Sequence, residues 1–241
     1  MTFIDKSFFM NVIITGASKG IGKAIATIFA AENATLFLCS RNEEKLKLTA
    51  QELKAAHNGC IVHYKAADLA DKNAAKEFAN WCLQFAVPDI LVNNAGQYVP
   101  GNIYNEAENN LEKMISTNLY SAYHVTKTVI EKMIAAKRGH IFNICSTASL
   151  QAYANGGSYS ISKFALMGFS KNLREELKAF GIKVTSVYPG AVMTDSWGDF
   201  DNAANRIMET DDVAKMILAC SKLSAQAVIE DIVLRPQLGD L

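Results

Sequence analysis

The sequence has no excess of charge of either sign and no long apolar run. Its 24 Lys and Arg residues balance 24 Asp and Glu residues, so electrostatics give no reason to expect a nucleic-acid or anionic membrane partner. No stretch approaches the ~20 apolar residues of a membrane span. The apolar start of the chain, which Asp5 and Lys6 interrupt, is too short for a signal-peptide core. We therefore expect a cytoplasmic protein without nucleic-acid or membrane partners, whose natural chain begins at Met1 or Met10.

Cysteine pairs and metal-ligand clusters are also lacking. The number of cysteines is odd and no C-x-x-C occurs, which favours free thiols in a reducing compartment over a disulfide framework. The histidines cluster neither with the cysteines nor with one another, so we expect no metal site. The residues concerned are Cys39, Cys60, Cys82, Cys145, Cys220, His57, His63, His124 and His140.

Short apolar runs alternate regularly with amphipathic stretches along the chain. Most of the runs are apolar throughout, which predicts parallel strands buried on both faces. Since there is no linker and no internal repeat, the alternation predicts one α/β domain over residues 1–241, with a core of about 10–236. The expected architecture is a doubly wound, Rossmann-type parallel sheet with helices on both faces. Strands are predicted over 11–15, 35–39, 60–65, 89–92, 139–145, 182–188 and 227–234. Helices are predicted over 20–31, 42–56, 71–87, 106–136 with a break near Asn118, 158–180 and 211–223.

A glycine-rich turn joins the first predicted strand to the first predicted helix. It reads TGASKGIG from Thr15 to Gly22. Glycine permits a tight turn and a close approach of the backbone to a ligand, and a helix N-terminus offers unpaired N–H groups and a partial positive charge. The turn therefore predicts a site for a nucleotide pyrophosphate rather than a purely structural turn. The predicted contacts are Gly16, Ser18, Lys19, Gly20, Ile21 and Gly22.

The same turn also fits the nucleophile elbow of hydrolases, G-x-S-x-G, with Ser18 as the nucleophile. That fold needs an acid and then a histidine later in the chain, and no histidine follows His140. A hydrolase is therefore the weaker interpretation.

The end of the second predicted strand bears on the choice of nucleotide. NAD-binding folds usually carry an acidic residue about 20 residues after the glycines, where it binds the ribose 2′-hydroxyl. This chain has Arg41 there and no acid before Glu43. Arg41 and Lys19 could instead hold a 2′-phosphate; the alternative is that Arg41 is a solvated loop residue. The expected cofactor is NADP(H), with NADPH preferred.

Four polar residues form a candidate catalytic set. Tyr159 and Lys163 are four residues apart near the start of a predicted helix, which puts them on one face. A nearby ammonium can lower the tyrosine pKa of about 10 by about 1–3 units, so we predict that Lys163 lowers the pKa of Tyr159. Ser146 follows an apolar strand, at the sheet edge where α/β folds place their ligands. Asn118 interrupts a long helical pattern, because Asn competes for backbone hydrogen bonds.

From about Asn11 to Leu234 the chain resembles the short-chain dehydrogenase/reductase family. No single motif is decisive, but the matches occur in the family's order and at family-like spacing. They comprise Thr15-Gly16-x-x-x-Gly20-Ile21-Gly22, Asp68-Leu69, Asn93-Asn94-Ala95-Gly96, Asn118, Ser146, Tyr159-x-x-x-Lys163 and Pro189-Gly190 with Thr194.

The resemblance implies an NADP(H)-dependent oxidoreductase that moves a hydride between the nicotinamide and a small carbonyl or alcohol substrate. Tyr159 would be the general acid or base and Ser146 would polarise the substrate oxygen. Lys163 would hold the nicotinamide ribose, and Asn118 would anchor a water of the proton relay. The other implied cofactor contacts are Asp68 to the adenine, Asn94 to the adenosine-side ribose, Thr194 to the nicotinamide amide, and Ala95, Gly96, Pro189 and Gly190 along the groove.

The resemblance further implies a homo-oligomer, either a dimer or a tetramer. It also admits an alternative function, a catalytically silent NADP(H)-binding sensor, although the intact catalytic set argues against it. By position, Gln151, Tyr153 and Trp197 are expected in the substrate pocket, and residues 191–208 predict only a small lid. The chain lacks the Asp-Gly-Gly close common in 3-oxoacyl-carrier-protein reductases, which argues against a role in fatty-acid synthesis.

Overall fold

A computed structural model describes residues 10–240 of the chain. In this part of the chain, seven parallel strands form one sheet in the order β3-β2-β1-β4-β5-β6-β7. The order reverses direction between β1 and β4, so the predicted doubly wound α/β fold is confirmed. The strands are β1 Asn11–Thr15, β2 Thr35–Ser40, β3 Ile61–Ala66, β4 Ile90–Asn93, β5 Gly139–Ile144, β6 Ile182–Pro189 and β7 Asp231–Leu234. The helices are α1 Gly20–Ala31, α2 Glu43–Ala56, α3 Lys72–Leu83, α4 Asn110–Ile115, α5 Ser121–Ala136, α6 Gly157–Leu177 and α7 Thr210–Ser221.

Helices cover both faces of the sheet, because successive side chains of a strand point to opposite faces. In β1, Val12 and Ile14 pack in one core with α1, α2 and α7. Ile13, between them, packs in the second core with α3, α5 and the end of α6. All three side chains are fully buried. The apolar runs of the sequence are therefore strands with two buried faces, as expected of a parallel sheet.

Two predicted elements begin four residues later than expected, and the helix predicted over 71–87 ends at Leu83. The helix predicted from residue 106 begins only at Asn110, because the Glu106 carboxylate accepts hydrogen bonds from the Ser158 hydroxyl and amide on α6. The strand predicted over 227–234 is regular only from Asp231. Before that point the chain meets β6 through separate hydrogen bonds, such as the Ser186 amide to the Glu230 carbonyl.

The fold places the carboxyl ends of all seven strands along one edge of the sheet. At the reversal between β1 and β4, the chains leave these ends in opposite directions and open a crevice there. No helix in residues 10–240 is long and apolar enough to cross a membrane. The five cysteines are all free thiols, as predicted.

Candidate active site

A cavity of about 910 Å³ occupies this crevice. It reaches from the end of β2 to the loop that follows β6, and most of the predicted site residues line it. Those residues are Gly16, Ser18, Lys19, Gly20, Ile21, Arg41, Asp68, Asn94, Ala95, Gly96, Ser146, Tyr159, Lys163, Pro189, Gly190 and Thr194. Two predicted site residues, Gly22 and Asn118, are not among its lining residues and support it from behind.

The glycine turn has a shape that other residues cannot adopt without strain. Gly16 has a φ of +66°, in the left-handed region. Gly22 packs so closely on the turn that a β-carbon there would overlap the Gly16 carbonyl oxygen and the Asn94 amide nitrogen. The turn therefore keeps its backbone open to the cavity on one side while it is tightly packed on the other.

Asn94 holds the glycine turn against the end of β4. Its side-chain nitrogen donates to the Thr15 carbonyl at 2.9 Å and to the Gly16 carbonyl at 3.1 Å. The Thr15 hydroxyl accepts from the amides of Asn94 and Ala95, both at 2.9 Å. Asn94 lines the cavity as well, so the structure adds a positioning function to the ribose contact predicted for it.

Helix α1 begins at this turn, and the backbone N–H groups of its first turn donate to no capping side chain. The side chain of Lys19, the N-cap residue, makes no capping hydrogen bond, and the first turn of the helix contains no acidic residue. The first N–H groups of a helix lack intrahelical acceptors and carry a partial positive charge. This end of the cavity is therefore suited to an anion.

Three cationic side chains line this end of the cavity: Lys19 in the glycine turn, and Arg41 and Lys45 around the start of α2. Lys45 was not predicted as a site residue; Arg41 precedes α2 and Lys45 lies in its first turn, so only the folded structure shows that both reach the cavity. Lys19 forms an ion pair with Asp195, with 2.7 Å between Nζ and Oδ2. This pairing lowers the pKa of Asp195 below its ordinary value.

The candidate catalytic groups meet at the opposite end of the cavity. Ser146 follows β5, and its side chain lies close enough to the Tyr159 phenol to lower the pKa of that phenol. The Ser146 hydroxyl also accepts from the Ala148 amide at 3.1 Å, which fixes its position. Lys163 is buried, with its ammonium 5.8 Å from the centre of the Tyr159 ring. That ammonium donates to the Ile144 carbonyl at 2.8 Å.

The pKa of Tyr159 is shifted in the direction opposite to our prediction. Burial raises it to about 12, and the neighbouring Ser146 side chain only partly offsets this effect. Burial also lowers the pKa of Lys163 to about 8. Residue spacing indicated correctly that the two groups are neighbours, but it did not reveal that Lys163 is buried and Tyr159 partly buried, which favours the neutral form of each.

We predict that Lys163→Met stabilises the fold at pH 7. The folded-state pKa of about 8 lies below the ordinary value of 10.5, so folding costs about 3 kcal/mol while Lys163 stays charged below pH 8. The lost hydrogen bond to Ile144 offsets about 1 kcal/mol of the gain. Urea unfolding at pH 7 is expected to show a net gain of about 1–3 kcal/mol.

The gain should shrink as the pH rises from 8 towards 10.5, because the wild type then folds with a neutral lysine. Lys215→Met is the control, since Lys215 is exposed on α7. A Lys163→Met variant that is less stable than wild type at pH 7 would show that the buried ammonium is fully compensated by its surroundings.

Asn118 lies in a π-helical segment, Ser116–Tyr120, between α4 and α5. The predicted break in the long helix is therefore confirmed. The Asn118 side chain is fully buried; it accepts from the Gln97 amide at 2.8 Å and donates to the Ser162 hydroxyl at 2.8 Å. It thus ties the segment after β4 to α6, next to Lys163.

Aromatic side chains enclose the cavity near Tyr159. The Tyr98 ring packs edge-on against the Tyr159 ring, with 4.9 Å between ring centres. Tyr153 lies near Tyr98, and burial together with this neighbour raises the pKa of Tyr153. Gln151, Tyr153 and Trp197 all line the cavity where the sequence analysis expected the substrate pocket. Tyr98 was missed, because it is two residues beyond the Asn93–Gly96 motif and carries no pattern of its own.

The comparison with protein families decides the identity of this fold. Residues 10–205 match the family model of the short chain dehydrogenases. The chain belongs to the short-chain dehydrogenase family. Membership makes it an oxidoreductase by family and removes the support for a hydrolase; no histidine of residues 10–240 lines the cavity to serve Ser18 as a base.

Individual short-chain dehydrogenases resemble this chain over nearly its whole length. The sepiapterin reductase of Chlorobaculum tepidum is 30% identical, and the alignment covers 95% of this chain and 97% of that one. An alcohol dehydrogenase from Thermococcus sibiricus, solved with 5-hydroxy-NADP, superposes with a TM-score of 0.89 at 25% identity, over 95% and 97% of the two chains. A metagenomic short-chain oxidoreductase in complex with NADP gives 0.83 at 32% identity, over 96% and 99%.

Proposed function

We propose that the protein is an NADP(H)-dependent oxidoreductase that transfers a hydride between the nicotinamide and a carbonyl or secondary alcohol carbon. The observation that carries this proposal is one cavity with two chemically different ends. Ser146, Tyr159 and Lys163 lie at one end, and the glycine turn with its cationic side chains lies at the other. Two of the similar solved structures contain NADP or a derivative of it, which supports the same cofactor here.

The residues present fit a dinucleotide phosphate. The uncapped start of α1 offers backbone N–H groups to a pyrophosphate, and a β-carbon at Gly22 would disrupt the turn that presents them. Arg41 and Lys45, with Lys19, would hold the 2′-phosphate. Asp68, Asn94 and Thr194 line the cavity where the adenine, the ribose and the nicotinamide amide are expected. When bound, NADPH supplies the hydride.

The proton comes from the chain's own residues. In reduction, Tyr159 donates the proton of its phenol to the substrate oxygen, while the Ser146 hydroxyl donates a hydrogen bond to the same oxygen. The Tyr159 phenol carries its proton at neutral pH, although its raised pKa of about 12 makes it a weaker acid than an ordinary phenol. The nearby Lys163 ammonium stabilises the phenolate that forms. The presence of all these groups in one cavity argues against a silent sensor.

NADPH oxidation by the purified protein, measured against a panel of ketones, aldehydes and diketones, tests this function. Turnover of any member of the panel is expected, and the active members would begin to define the pocket around Tyr98 and Tyr153. A protein that binds no NADPH would contradict the cofactor assignment. Tight NADPH binding without turnover of any carbonyl compound would favour the sensor.

Arg41→Asp is expected to shift cofactor use from NADPH towards NADH. A hydrogen bond between charged groups contributes about 1.5–3 kcal/mol, so its loss should raise the KM for NADPH by about tenfold to a hundredfold. The new carboxylate can accept from the ribose 2′-hydroxyl and should lower the KM for NADH. Lys47→Asp is the matched control, since Lys47 is exposed on α2, six residues after Arg41, and does not line the cavity. An unchanged preference in Arg41→Asp would assign Arg41 to the solvated loop.

A further inference from the structure

The loop between β6 and α7 lines the cavity and is joined to the glycine turn by an ion pair. Thr194, Asp195 and Trp197 of this loop all line the cavity. The Asp195 carboxylate reaches the Lys19 ammonium at 2.7 Å, although the two residues are 176 positions apart in the chain. Both side chains remain more than half exposed, at 56% and 58%. The ion pair therefore bridges the glycine turn and the loop without being buried by either.

This ion pair uses a cation that the proposed cofactor needs. Lys19 comes directly before Gly20, at the end of the cavity where Arg41 and Lys45 also lie. The positive charge of Lys45 also lowers the pKa of the Asp195 carboxylate, though less than Lys19 does. An anion that binds among these three cations approaches a carboxylate that already neutralises part of their charge.

We infer that Asp195 is a specificity-determining residue that weakens the preference for NADPH over NADH by competing with the 2′-phosphate for Lys19. The inference rests on the proposed function. A 2′-phosphate must either draw Lys19 away from Asp195 or lie near the Asp195 carboxylate, and both cost binding energy. NADH has a hydroxyl at this position and meets neither cost. Asp195 therefore acts through Lys19, as a positioning residue, and not through the hydride-transfer end of the site.

The test compares dissociation constants for NADPH and NADH, measured by isothermal titration with the whole protein. Removing the carboxylate frees the exposed Lys19 ammonium for the phosphate, so Asp195→Asn should tighten NADPH binding by about twofold to fivefold. The NADH constant should change by less than about twofold. Higher ionic strength should reduce the difference between the effects of the substitution on the NADPH and NADH dissociation constants.

Two further variants separate a specific pair from a general change in charge. Asp199→Asn removes a carboxylate from the same loop at a position that does not line the cavity, so it should leave both constants near wild type. In a Lys19→Gln background, Asp195→Asn should lose most of its effect on NADPH.

An effect that is undiminished in the Lys19→Gln background, or an equal change for NADH, would overturn the inference. The inference would also be overturned if the wild type binds NADPH and the Asp195→Asn variant binds it no more tightly. A wild-type protein that binds neither nucleotide would overturn the proposed function, and this inference with it.

Discussion

Tyr159→Phe is expected to lower kcat for carbonyl reduction by about a hundredfold to ten-thousandfold, with little change in NADPH affinity. The substitution removes one oxygen and keeps the ring that packs against Tyr98. The neighbouring Lys163 is not placed to donate to an oxygen held by Ser146, since its ammonium points at the Ile144 carbonyl. Initial rates of NADPH oxidation with an active substrate, together with NADPH titration of the variant, measure the two quantities.

Tyr98→Phe is the matched control for this experiment. It removes a phenolic oxygen from the ring next to Tyr159, with a ring-centre distance of 4.9 Å, and should change kcat by less than about tenfold if only Tyr159 transfers the proton. If Tyr159→Phe turned over substrate like the wild type, or if Tyr98→Phe were the more damaging change, the assignment of the acid would be wrong.

Gly22→Ala is expected to raise the dissociation constant for NADPH by about tenfold to a hundredfold and to destabilise the fold by about 1–3 kcal/mol. The added methyl group would overlap the Gly16 carbonyl oxygen and the Asn94 side chain. Neither neighbour can yield freely, because Asn94 is hydrogen-bonded to Thr15 and Gly16. The turn must therefore shift, and the N–H groups at the start of α1 shift with it. NADPH titration and urea unfolding measure the two effects.

Gly168→Ala provides the matched control for the glycine turn. Gly168 lies within α6, and a β-carbon there would meet no atom within 4 Å. Replacing a helical glycine by alanine usually stabilises a helix by about 0.5–1 kcal/mol, so this variant should be at least as stable as wild type and bind NADPH unchanged. Wild-type NADPH affinity in Gly22→Ala would show that the close packing of the turn does not govern nucleotide binding.

The sequence sufficed to predict the sheet and the glycine turn because both depend on local rules. β1 is apolar on both faces, and only a parallel sheet between two helical layers buries both. A glycine at residue 16 permits a conformation with positive φ that is set by its immediate neighbours. The four-residue spacing of Tyr159 and Lys163 likewise fixes their neighbourhood once a helix is assumed.

Features that depend on the fold as a whole could not be predicted in this way. The direction of the Tyr159 pKa shift depends on how far the ring is withdrawn from water, which spacing does not report. The helix starts at Asn110 because Glu106 is drawn to Ser158, more than 50 residues away. Lys19 and Asp195 meet only because the loop after β6 folds back over the first turn of the chain.

The open start of α1 has a consequence for the energetics of the whole protein. A helix whose first N–H groups are left to water forgoes the roughly 0.5–2 kcal/mol that a good cap contributes. An anionic ligand that completes those bonds serves as the missing cap and binds only the folded chain. Its concentration then enters the unfolding equilibrium directly, adding about 2.7 kcal/mol when it exceeds its dissociation constant a hundredfold. The melting temperature of this protein should therefore rise with the concentration of nucleotide in the solution.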